Sequence, residues 1–170
     1  MLQQQGVPHH LKIDIEAADR FCLDALAQVG VRPTTLSIEA ELSDIDEQVA
    51  QLDQLAALGY RAFLPVQQAR LHKLALPQPQ AEGRTVTHRF ARGSSGPFGR
   101  DLQGPWLGLD AAKTFYVRVH AANERYAWHY KVGYKPARSL IRRACEHVAG
   151  VPLFGWYDTH ARLTPPDQAA

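Results

Sequence analysis

The chain has 170 residues, 45% of them hydrophobic and 21% charged, with a formal net charge of +2. That length suits one domain burying roughly 70% of its unfolded surface, and the composition excludes a disordered chain. A charge so near zero gives no reason to expect nucleic acid as a partner, and no apolar run approaches the roughly 18 residues of a membrane span.

Residues 1–6 lack the basic-then-apolar pattern of a signal peptide. Cys22 and Cys145 fall on predicted helices without metal-ligand spacing, so a reduced, cytoplasmic protein is expected.

In chain order, Leu11, Ile13 and Ile15 alternate with Lys12, Asp14 and Glu16, the period of a strand over about 10–15. Ala18, Phe21, Cys22, Ala25, Leu26 and Val29 then recur at helical steps, and Gly30 ends that helix. Leu36, Ile38 and Ala40 alternate with Ser37, Glu39 and Glu41 in a second strand. Ser43, with Asp46 and Glu47, reads as a helix start. Ile45, Val49, Leu52, Leu55 and Leu58 form its apolar stripe, and Gly59 stops it. Residues 60–67 make a third strand. Two consecutive βαβ units call for neighbouring parallel strands with right-handed crossovers.

Beyond Gln68 the pattern is less regular. Leu71, Leu74 and Leu76 suggest a short helical piece ended by Pro77 and Pro79. Residues 84–90 alternate weakly, as a strand would, and 92–99 are a loop by composition. Asp110 suits the cap of a helix carrying Phe115, Val119, Tyr126 and Tyr130. A second amphipathic helix is predicted over 137–148. The aromatic tail 153–162 should dock on the rest, and 164–170 should fray. The expected fold is therefore α/β: a partial, Rossmann-like parallel sheet of about three strands over 1–68, with flanking helices. A less regular, helix-containing part over 69–163 packs on it. Three strands alone would leave an apolar edge and face uncovered, which predicts a partner chain or self-association.

In open α/β sheets ligands bind outside the carboxyl ends of the strands. That edge collects Asp14, Glu16, Glu39, Glu41, Gln67 and Gln68. Asp14 and Glu16 suit general-base chemistry there, and equally suit the first amides of the following helix. Glu39 and Glu41 invite a metal reading with Asp14, but nothing in the spacing demands convergence, and no metal site is predicted. His9 and His10 are adjacent on a strand and so point to opposite faces. Lys131, Lys135, Arg138, Arg142 and Arg143 form a basic cluster, read as the solvated face of a helix or as a site for an anion. Ser94, Ser95 and Phe98 lie in the glycine-rich loop, which can cradle a polar ligand or be a plain turn. Asp158 and His160 can make an acid–base pair or a surface histidine beside an aromatic anchor.

Lys12-Ile13-Asp14-Ile15-Glu16 with Asp19 resembles the strand-four signature of FkbM-type methyltransferases, S-adenosylmethionine-dependent O-methyltransferases with a Rossmann-like sheet. The family pattern Lys-Ile-Asp-hydrophobic-Glu-Gly ends here in Ala17. The stretches 93–99 and 155–162 are similar to other parts of such sequences. The resemblance implies Asp14 and Glu16 as the catalytic carboxylates, between cofactor and acceptor. It implies Ser94, Ser95, Phe98, Asp158 and His160 as substrate-binding residues and a small-molecule hydroxyl, a sugar's included, as acceptor. The family binds S-adenosylmethionine with a first strand, its glycine-rich turn and an acid after strand two, and no such segment precedes Lys12. The expectation is a truncated or split methyltransferase with little activity alone, or a non-catalytic binding or assembly module derived from one.

Overall fold

A computed structural model describes residues 6–15 and 18–164. Its elements are β1 (His10–Ile13), α1 (Asp19–Val29), β2 (Thr35–Glu39), α2 (Ile45–Ala57), β3 (Ala62–Gln67), α3 (Leu109–Tyr126), α4 (Lys135–Ala149) and β4 (Tyr157–Arg162). The α/β class stands, and the first five elements follow the predicted order.

The sheet differs from expectation. It has four strands in the order β1-β2-β4-β3 and is mixed. β1 and β2 pair in parallel, but β4 is inserted antiparallel between β2 and β3, so the second and third parallel strands do not touch. The tail expected merely to dock is thus a central strand. Its six residues are all buried, and a strand covered on both faces need not read as alternating polar and apolar.

The register separates two faces. Leu36 lies opposite Ala161, which lies opposite Phe63. These residues form one core with Leu23 and Leu26 of α1, Leu52 and Leu55 of α2, and Tyr116 and Val119 of α3. Right-handed crossovers in one direction along a sheet place their helices on one side, and α3 joins them there. Tyr116 Oη and Thr159 Oγ1 stand 2.7 Å apart within this core. The stripe of α1 is offset from the predicted one: Leu23 is fully buried, whereas Phe21 is 72% exposed. α2 is capped by Asp44, not Ser43. The Asp44 carboxylate accepts from the amides of Asp46 and Glu47. Gly108 precedes α3, and Asp110 lies in its first turn.

The opposite face is polar. His10 is in register with Thr35 and Arg162, Lys12 with Ser37 and His160, and Glu39 with Asp158. No helix covers this face among the described residues. A strap over 68–108 does so, with 3-10 turns at Gln68–Lys73 and Gly99–Asp101 and a bridge from Leu107 to Phe63. The strand expected at 84–90 does not form. The Gln80 side chain instead ties to the backbone N–H and C=O of Val86. Phe98 stacks on His10 at 4.5 Å, and the Arg162 guanidinium lies 4.3 Å from the Trp106 ring centre. Gly96 has φ +75, and a Cβ there would stand 2.8 Å from Leu71 Cδ1, so glycine lets these two parts of the strap approach closely.

Candidate functional site

Because β4 runs against the other three strands, one rim of the sheet gathers three carboxyl ends and one amino end. Asp14 follows β1, Glu39 closes β2, Gln68 follows β3 and Trp156 precedes β4. Together with Lys12, Asp158 and the strap residues Gly93 and Ser95, they line one cavity of about 390 Å³, within the size range of small-molecule sites.

Lys12 is the hub of its electrostatics. Its Nζ donates to Asp158 Oδ2 at 2.7 Å and stands 3.3 Å from Asp14 Oδ2. Asp158 is deeply buried, whereas the Asp14 side chain is half exposed. One cation shared by two carboxylates leaves the trio net negative. Burial raises the Asp158 carboxyl above its ordinary value, and Lys12 offsets this only in part. Burial opposes the Lys12 ammonium, but Asp158 and Asp14 outweigh it, so Lys12 also titrates above its ordinary value. Glu39 is raised as well, first by burial and then by the charges of Asp14 and Asp158.

Gln68 contributes the second feature. Its backbone N–H donates to the Trp156 carbonyl at 3.0 Å, but its side-chain Nε2 has no hydrogen-bond partner among the described residues. The residue is only 5% exposed. An unsatisfied buried donor costs about 1–3 kcal/mol, and this one lines the cavity. Trp156 is half exposed and offers a flat apolar surface. Carboxylates that accept, an amide and an ammonium that donate, and an indole to pack against suit a neutral, hydroxyl-rich ligand. Asp14, facing solvent, is placed to take a hydroxyl proton.

Of the residues predicted from sequence, Asp14, Ser95 and Asp158 meet in this cavity. Glu16 lies outside the described residues. Ser94 does not line the cavity, and its amide donates to the Ala91 carbonyl at 3.3 Å. Phe98 packs on His10 instead. His160 and Asp158 form no acid–base pair: Asp158 is taken by Lys12, and neither ring nitrogen of His160 has a partner among the described residues. Burial first, then His10 and Lys12, drives His160 down to about 3. Burial, with His9, brings His10 to about 4. Both rings are neutral at pH 7. Lys12, Gln68 and Trp156 were not singled out as site residues from sequence. The signal available was Lys12's place in the strand signature and Gln68's place at a strand end.

The glycine-rich turn that the resemblance would require for S-adenosylmethionine is not found among the described residues. No Gly-x-Gly occurs in the chain. Gly93, which lines the cavity, has φ +83 and no protein atom within 4 Å of where a Cβ would stand. No helix among the described residues is long and apolar enough to cross a membrane. Comparison with family models, with curated proteins and with solved structures finds no match to this chain.

Proposed function

We propose that this chain is the acceptor-binding part of an FkbM-like S-adenosylmethionine-dependent O-methyltransferase. It holds a small-molecule or sugar hydroxyl at the sheet rim and transfers little methyl by itself. One observation carries the reading. The three segments that resemble the family are far apart in sequence, and Asp14, Ser95 and Asp158, one from each, line a single cavity. S-adenosylmethionine is the methyl source the resemblance implies, and no step at this site is assigned to it. The outer edge of β1 carries no strand among the described residues, so a partner chain or second copy adding there would extend the sheet. The free thiols of Cys22 and Cys145 suit a cytoplasmic setting.

A non-catalytic binding module is the second reading. It is favoured by Lys12, whose ammonium stands 3.3 Å from Asp14 and already engages its carboxylate.

Thermal unfolding of the purified chain against a panel of neutral glycosides and cyclitols tests the proposal. Saturable stabilisation by one of them, lost in Asp14→Asn, is expected. S-adenosylmethionine should shift the transition only weakly. A micromolar effect of S-adenosylmethionine would overturn the account of the missing cradle, and indifference to every hydroxylated compound would overturn acceptor binding. Label transferred from methyl-tritiated S-adenosylmethionine to the bound compound supports the transferase; binding without transfer supports the module.

A further inference from the structure

A second cavity, of about 320 Å³, is lined by His129, Tyr130, Lys135, Arg138, Ser139 and Arg142, with Phe154, and shares no lining residue with the rim cavity. Three cations line this second cavity, and no acid does among the described residues. Lys135 and Arg138 occupy the first turn of α4, which has no acidic residue and no side-chain cap on its amides. The amino end of a helix already carries partial positive charge and favours acids. Cations gathered there repel one another and the helix end, and an anion relieves both. The Arg142 Nε, shielded from solvent, makes no hydrogen bond among the described residues and forms an ion pair with Glu146 at 3.9 Å.

The floor of the cavity is aromatic. His129 is 2% exposed, stacks on Phe154 at 3.9 Å and lies 4.0 Å from the Tyr130 ring. Its Nδ1–H donates to the Tyr126 carbonyl at 3.2 Å, which leaves Nε2 as an acceptor in the neutral ring. Burial, with Arg138 and Arg142 nearby, lowers its proton affinity and keeps it neutral. Tyr130 lines the cavity and is 56% exposed.

We propose that this cleft is a binding site for a phosphorylated ligand of mononucleotide size, its phosphate held by Lys135, Arg138 and Arg142 and its planar ring laid on Tyr130. Guanidinium groups match phosphate geometry in a way that a solvated helix face does not need. Ser139 adds a hydroxyl donor beside them.

The test is calorimetric titration of the full chain, at low salt, with adenosine 5′-monophosphate, adenosine, inorganic phosphate and a single-stranded dodecanucleotide. The monophosphate should saturate at one site, with phosphate and adenosine each at least about tenfold weaker. Arg138→Gln, Arg142→Gln and Tyr130→Ala should each weaken it about tenfold with unchanged circular dichroism, whereas Asp14→Asn should not affect it. Lack of saturation, phosphate binding as tightly as the monophosphate, or indifference to the Arg138 and Arg142 variants would overturn the proposal. So would an oligonucleotide about a hundredfold tighter, which the exposed rings of Trp128 and Tyr134 would then explain as strand recognition.

Discussion

The ammonium of Lys12 stands 2.7 Å from a carboxylate oxygen of Asp158, joining two strands that β2 keeps apart. The link ties the start of the sheet to its last strand and fixes where the rim cavity opens. Asp158 depends on it, being buried with no other charge-assisted bond among the described residues.

Lys12→Met should therefore destabilise the protein by about 2–3 kcal/mol, since removing one partner strands a buried charge. Asp158 then becomes easier to protonate, so the loss should be larger at pH 8 than at pH 5. Urea unfolding at the two pH values measures it, and an equal loss at both would argue against a charged Asp158.

His160 and His10 should weaken the fold on the acid side of neutrality. Their ordinary value is 6.5, and in the fold they stand at about 3 and about 4. Between those limits the unfolded chain takes up protons that the native state refuses. Stability is complete above pH 6.5 and falls as pH drops. Asp158 and Glu39, raised in the fold, act in the opposite sense near the carboxylate range. His160 should contribute up to about 1.4 kcal/mol per pH unit, and half-buried His10 less. His160→Leu should flatten the slope of urea midpoint against pH from 6.5 to 5, at no cost at pH 7, because the ring nitrogens it removes have no partners.

Gln68→Leu separates stability from binding. Its Nε2 is unsatisfied, so the variant should melt at or slightly above the parent temperature, with a gain of up to about 1 kcal/mol. Any hydroxylated ligand found for the rim cavity should bind at least about tenfold more weakly. Paired melting and titration experiments check both halves.

Phe98→Ala should loosen the strap without loosening the helices. The ring pair with His10 is worth about 0.5–1.5 kcal/mol. Limited proteolysis should cut within 84–98 several-fold faster, while amide exchange in α2 stays at the parent rate.

Much of the front of the fold is legible from residue spacing, because β1, β2 and β3 alternate and α2 carries a clean stripe. Phe21 and Leu23 show the limit of that reading. The larger side chain was assigned inward, yet the helix turns Leu23 to the sheet. β4 was missed because both of its faces are covered, so Asp158, His160 and Arg162 sit inside with Tyr157, Thr159 and Ala161. The cavity was legible only as a list of strand-end acids. Its actual members meet through a reversed strand and an irregular strap, neither of which follows from local periodicity. Gln68 matters through the absence of a partner, which no spacing encodes.

The position of β4 also governs how the molecule comes into being. Its neighbours on either side are made about a hundred residues earlier, and neither can shelter the other's backbone. β2 and β3 therefore lack their shared neighbour until residues 157–162 are in place. Closure of the sheet is then a single late event, slow for contacts so distant in sequence. A chain cut short near residue 150 would retain its helices' sequences but have no way to join its two half-sheets.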